Sequence, residues 1–231
     1  MAITFYDLAG GDGRRFSPFG WRVRMALAHK GLEAGASVER VTFSQKHKLA
    51  FSGQELVPVI VDEGTVVADS WEIALHLDRV HGREPSLFAT TGVAAARFFA
   101  AWTDSQLHPL IARCVVSDIP AVLDPADLEY FRRSREARFG TTLEAMAEGR
   151  NTARAELKRA LYPLRKSVEA GGFLAGSGPG YADYAAFGAF MWARGVSGFR
   201  LLDDDDPVHA WRERMLDLHD AMPRTEPGFL V

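Results

Sequence analysis

The chain has 231 residues and a mass of 25.5 kDa, room for one large domain or two small ones. With 47% hydrophobic and 25% charged residues, intrinsic disorder, collagen-like repeats and a membrane bundle are excluded. A formal net charge of −3 supplies no concentrated basic surface, so nucleic acid is not an expected partner.

In chain order, Ile3 and Phe5 share one face of a short strand, with Thr4 and Tyr6 on the other. Residues 1–7 lack the basic and apolar regions of a secretory signal, which leaves a cytoplasmic location as the expectation. Gly10-Gly11-Asp12-Gly13 lacks the Lys-Ser/Thr of a phosphate loop and reads as a flexible turn. Residues 21–30 have helical spacing through Val23, Ala26 and Leu27, and Gly31 closes the helix. A second strand is expected over 37–43 and a third over 57–61. Asp62-Glu63-Gly64-Thr65 is a hairpin turn, returning through Val66, Val67 and Ala68. Ser70 then caps a helix whose apolar face is Ile73, Ala74, Leu77 and Val80. The order β-α-β-(α)-β-β-α is that of a thioredoxin-like sheet.

Composition changes at Gly82-Arg83-Glu84-Pro85, and no strand is expected beyond it. Helical spacing covers 93–106, a mostly solvated arginine-bearing helix covers 128–139, and another apolar repeat covers 152–170. Residues 181–192 are apolar nearly all round, as in a helix buried at the centre of a bundle. Asp183 and Arg194 interrupt the longest apolar stretch, so no membrane span is expected. A last helix is expected over 208–222, with the acidic run Asp203 to Asp206 at its start. The fold class is an α/β thioredoxin-like N-terminal domain plus an all-α C-terminal helical bundle. The expected boundaries are 1–82, a linker over 83–92, and 93–231.

Cys114 is the single cysteine, which excludes an internal disulfide, a CxxC pair and a thiolate metal cage. It lies in the helical half and reads as a small buried hydrophobe. His76 and His81 have no metal-ligand spacing and read as helical or linker surface, so no metal site is expected. Three motifs in the first domain could hold a ligand. Pro18 suits the first turn of a helix, which makes Ser17 its N-cap, beside orphan amides and the positive end of the helix dipole. Val57-Pro58-Val59 opens a strand with proline, which fits an edge position or a cis bond. A cis bond would leave the Val57 amide and carbonyl free to pair with an extended peptide. Asp69-Ser70 is an acid and a hydroxyl at a helix N-terminus, able to hold an ammonium and a carboxylate. Each motif alone reads first as capping or as an ordinary strand edge, and it is their conjunction that points to a ligand.

Taken together, these motifs resemble those of the cytosolic glutathione transferases over essentially the whole chain. Val57-Pro58-Val59 and Asp69-Ser70 resemble the family's glutathione-binding strand and acid–serine pair. Gly180-Tyr181-Ala182-Asp183-Tyr184 resembles the start of its central helix, with Gly180 in place of the usual hydroxyl N-cap. Ser17-Pro18-Phe19-Gly20-Trp21-Arg22, Ala28-His29-Lys30-Gly31, Asp69-Ser70-Trp71-Glu72-Ile73-Ala74 and Phe190-Met191-Trp192 are most similar to the bacterial, lignin-degrading β-etherase branch and its fungal relatives.

The resemblance implies the glutathione transferase fold, glutathione as co-substrate, a homodimer, and a small hydrophobic aromatic substrate such as an aryl ether. It implies that Ser17 stabilises the glutathione thiolate, that Val57 beside Pro58 pairs its cysteinyl backbone, and that Asp69 with Ser70 holds its γ-glutamyl head. The glycyl carboxylate needs a cation, for which Lys46 and Lys48 are candidates. Serine stands where the related thiol–disulfide reductases carry cysteine, so the reactive sulfur arrives with the co-substrate. Phe98, Phe99, Trp102, Phe190, Met191 and Trp192 are shared between the core and an aromatic-substrate pocket. A non-catalytic carrier of glutathione and aromatic ligands is the alternative.

Overall fold

A computed structural model describes residues 2–82, 85–89 and 91–230 of the chain. Of the expected linker, Arg83, Glu84 and Thr90 lie outside the described residues, as do the terminal Met1 and Val231.

Four strands form one sheet in the order β2-β1-β3-β4: β1 (Ile3–Leu8), β2 (Ala36–Val41), β3 (Val59–Asp62) and β4 (Thr65–Ala68). β1 runs parallel to β2 and antiparallel to β3, with Tyr6 opposite Val59. The alternation of β1 buries Ile3, Phe5 and also Asp7. Glu63 and Gly64, at φ 47° and 87°, make the expected two-residue hairpin turn. Helix α1 (Pro18–His29) starts at the expected proline with Ser17 as its N-cap. Helix α2 (Ser70–Val80) is capped by Asp69 and not by the expected Ser70. One Asp69 oxygen, Oδ1, accepts from the amides of Trp71 at 2.8 Å and Glu72 at 3.3 Å, leaving Ser70 as the first helical residue.

The named elements of the second half are all helices, with one isolated bridge between Phe173 and Gly176 among the described residues. α3 (Gly92–Trp102) runs through a π-turn at Thr103–Leu107 into α4 (His108–Val115), so the helix expected over 93–106 is widened near its end. α5 (Leu128–Phe139) follows two short 3-10 turns. The helix expected over 152–170 is two helices, α6 (Leu143–Ala160) and α7 (Tyr162–Val168), divided where Pro163 cannot continue the amide ladder. α8 (Tyr181–Val196) is the expected central helix, and Trp192 is its one residue that is not buried. The last expected helix is likewise two, α9 (Pro207–Leu216) and α10 (Leu218–Thr225), which divide at Asp217; His219, Asp220 and Ala221, at positive φ, kink α10 further.

One continuous apolar core joins both halves, from Ile3 and Phe5 through Val23 and Leu27 to Phe187, Phe190 and Trp211. α1 lies directly on α8, and a Cβ at Gly188 would strike the carbonyl of Pro18. The glycine-rich stretch after β1 is part of this junction and not a free turn. The Gly11 amide donates to the Val122 carbonyl at 3.0 Å, and a Cβ on Gly11 would stand 2.9 Å from the Leu123 carbonyl oxygen.

The start of α8 explains the departure at Gly180. A Cβ there would approach Ala175 Cβ to 2.8 Å and the Leu87 carbonyl to 3.0 Å, while the Tyr181 amide donates to that carbonyl at 2.9 Å. Asp183 keeps the other half of the capping box. Its carboxylate accepts from the amides of Leu174, Ala175 and Gly180 and from the Trp211 indole, at 2.7–3.2 Å.

Candidate functional site

A cavity of about 660 Å³ opens between the two halves. From the first half it is lined by Ser17 and Phe19 at the start of α1, by Thr42, Phe43 and Lys46, and by Leu56 and Val57 before β3. From the second half come Asp104 and His108, Phe131, Arg135, Arg138 and Phe139 of α5, and Trp192 of α8. The size suits a drug-sized ligand, and the lining is mostly apolar with a few polar groups.

Ser17 is 4% exposed, and its Oγ accepts from the Gly20 amide at 3.0 Å. A hydroxyl that accepts one bond keeps its own proton to donate. That proton is available at the positive end of α1, where an anion is stabilised by about 0.3–1 kcal/mol. The Val57–Pro58 bond is cis, and Val57 borders the same cavity. Pairing of Val59 with Ala68 sets Asp69 and Ser70 beside Pro58, at the edge of this region but outside the cavity lining.

The two lysine candidates separate. Lys46 lines the cavity, donates to the Tyr130 hydroxyl at 3.0 Å and stands 3.9 Å from the Glu55 carboxylate. Lys48 lies outside the cavity lining and donates to the Arg40 carbonyl at 3.3 Å. Asp127 holds the Lys46 segment in place from the helical half. Fully buried, it accepts from the amides of Phe43 at 2.9 Å and Ser44 at 2.7 Å.

Of the aromatics read as core or pocket, Trp192 lines the cavity; Phe190 and Met191 are buried in the core, and Phe98 is 69% exposed. Sequence reading missed His108. Burial pushes its pKa down to about 3, with the Arg22 and Arg138 cations acting in the same direction. Its ring meets Phe19 edge-on at 5.2 Å, Nδ1 lies 3.4 Å from the Asp104 carboxylate, and Nε2 is buried without a hydrogen-bond partner among the described residues. Asp104 is itself paired with the buried Arg22 at 2.5 Å. α5 is mostly solvated as expected, with Phe131 its one buried residue, but it also carries a cavity-lining stripe. Phe131, Arg135, Arg138 and Phe139 recur at i, i+4, i+7 and i+8, a helical stripe that arginines conceal when they are counted as polar surface.

Elsewhere the histidines correct the sequence reading. His76 and His81 are not surface groups: the Nε2 atoms of both lie 2.7 Å from Asp62 Oδ2, and all three side chains are buried. Burial opposes ionisation of Asp62, yet the two imidazoles hold its carboxyl below the usual range. The cluster ties the end of β3 to the end of α2. Cys114 is buried as expected, and burial pushes its thiol up to about 11.

Known families agree with this architecture. Residues 16–80 match the glutathione S-transferase N-terminal domain, and residues 94–217 match the glutathione S-transferase C-terminal domain. The chain belongs to the glutathione S-transferase family, whose co-substrate is glutathione. It is similar to the glutathione transferase GSTFuA3 of Phanerochaete chrysosporium, with 26% identity over 96% of this chain and 92% of that one, at a TM-score of 0.73. GSTFuA2 of the same organism matches at 25% identity over 96% and 93%, with a TM-score of 0.75. CsGST83044 of Ceriporiopsis subvermispora, solved in complex with glutathione, shares the fold at 21% identity over 95% and 98%, with a TM-score of 0.77. Family and fold are those the motifs led us to expect. Among the described residues, no helix is long and apolar enough to cross a membrane.

Proposed function

We propose that the protein is a transferase in which Ser17 stabilises the thiolate of bound glutathione for attack on a hydrophobic aromatic electrophile, with aryl ethers as the substrate class. The observation that carries this reading is the Ser17 hydroxyl at the N-cap of α1, facing the interdomain cavity with its proton free. A thiol of pKa ~8.5 is only about 3% ionised at pH 7. Lowering that pKa by about two units takes ~2.7 kcal/mol. A hydrogen bond to a charged acceptor supplies ~1.5–3 kcal/mol and a helix N-terminus ~0.3–1, so the two together suffice.

In this reading Val57, presented beside cis Pro58, pairs the cysteinyl backbone, Asp69 and Ser70 hold the γ-glutamyl head, and Lys46 meets the glycyl carboxylate. Lys46 is favoured over Lys48 because it borders the cavity. Attack forms a carbon–sulfur bond and breaks the ether carbon–oxygen bond, and the phenolate leaves with the bonding pair. Residues 1–82 form the glutathione-binding unit, 83–92 the linker, and 93–231 the unit that closes the substrate pocket. The reading includes a cytoplasmic homodimer, for which exposed Phe51 and Phe98 supply apolar surface.

The test is a titration of the bound glutathione thiol by its thiolate absorbance, with turnover of aryl ethers followed alongside. We expect a pKa near 6.5 in the native protein and a rise of about 1–2 units in Ser17→Ala. An unchanged thiol pKa in the variant removes Ser17 from the role. Tight glutathione binding with no turnover of aryl ethers, aromatic halides or peroxides makes the protein a carrier.

A further inference from the structure

The charges that face the cavity do not cancel. Lys46 stands opposite Glu55, Asp104 is taken by Arg22, and His108 is held neutral by burial. Arg135 and Arg138 are left over. Neither meets a carboxylate within salt-bridge distance among the described residues, although Arg132 on the same helix engages both Glu136 and Glu144. Arg135 is held by ring faces, its guanidinium lying 4.9 Å from the Phe131 centroid and 5.4 Å from that of Phe43, with one hydrogen bond to Ser134. Like charges at i, i+3 on a helix repel one another, and this pair does so against a largely apolar wall. Arg138, itself exposed to solvent, lines the same cavity as Phe19, His108, Phe139 and Trp192.

We propose that the part of the cavity lined by these residues is a binding site for aromatic acids: the ring packs among Phe19, His108, Trp192 and Phe139, and the carboxylate is taken by Arg138 together with Arg135, one turn earlier on α5. A guanidinium fork matches a carboxylate in two parallel hydrogen bonds, and the bound anion removes the repulsion between the two arginines. The inference rests on the transferase reading of the cavity and narrows its substrates to aromatic molecules bearing an acidic group.

The test is calorimetric titration of the full chain with 2-naphthoate and with neutral 2-naphthalenemethanol, each in the presence and absence of glutathione. Arg135→Gln/Arg138→Gln is titrated in the same way. We expect naphthoate to bind the native protein about tenfold or more tighter than the alcohol, as a charge-assisted hydrogen bond implies. The preference should shrink with added salt and fall below about threefold in the double variant, with affinity for the alcohol retained as evidence that the cavity is intact. Equal affinities in the native protein, or a preference that survives in the double variant, overturn the proposal. So does a loss of glutathione affinity in the double variant, which would assign the arginines to the glycyl carboxylate. Failure of the native protein to bind glutathione at all would instead defeat the transferase reading, and the glutathione titration reads that separately.

Discussion

Ser17 does two things with one oxygen. Its lone pair satisfies the Gly20 amide, and its proton is left to donate to a ligand. His108 sits in the same cavity with the opposite history, a titratable group stripped of its usual charge. Burial pushes its imidazole pKa down to about 3, and the Arg22 and Arg138 cations act in the same direction. In the unfolded chain the same group titrates near 6.5. Between those values the unfolded chain binds a proton that the native one does not, so acid favours unfolding by up to about 1.4 kcal/mol per pH unit. The pKa values of His29 and His219 are also lowered by burial, so the whole-protein slope is a sum. The difference between native protein and His108→Gln isolates one contribution. Urea unfolding should show the stability gap between them shifting by about 2 kcal/mol in favour of the variant from about pH 7.5 to about pH 5.

At the level of elements, the segment carrying Lys46 is positioned from across the domain boundary. The Asp127 carboxylate is the acceptor for two amides at the head of the Phe43–Ser52 turn. Asp127→Ala leaves both amides without a buried acceptor, at a cost of about 1–3 kcal/mol, and frees the segment. We expect KM for glutathione to rise several-fold in steady-state kinetics while kcat changes little, because Ser17 and α1 are untouched. Elements were legible in the sequence where local chemistry alone decides them. Pro18 after Ser17, the Glu63-Gly64 turn and the all-apolar face of α8 each carry their reason within a few residues. What stayed hidden depends on partners far along the chain. Asp127 meets Phe43, Asp62 meets His76 and His81, and Gly180 yields to Leu87. A histidine pair without ligand spacing on its own helix gives no sign that a strand will deliver the carboxylate.

For the whole molecule, the continuous core sets how the halves behave. α1 belongs to the sheet by chain order and to the bundle by packing, with Gly188 letting its backbone close on α8 and Arg22 reaching Asp104. Two domains by sequence should therefore unfold as one. Scanning calorimetry and far-ultraviolet circular dichroism are expected to give coincident single transitions, with no separate melting of the sheet half. Resolved transitions would mean that the shared core contributes less cohesion than its burial implies. The composition change at Gly82-Arg83-Glu84-Pro85 was readable, but the cavity was not, because its walls come from both halves of the chain. Lys48 and Phe98, plausible by residue type, turned out to lie away from it.

The placement of α5 has an evolutionary consequence. Its anchoring rests on Phe131, its one buried residue, while Arg135 and Arg138 reach the cavity from a helix that is otherwise half-exposed. On the aromatic-acid proposal, exchanges at those two positions alter what the protein accepts while leaving the start of α1 untouched, Arg138 at less cost than Arg135, which stacks on Phe131 and Phe43. Substrate range can thus drift at the surface of α5, while Ser17 and the start of α1 stay fixed by the packing of α1 on α8 beneath them.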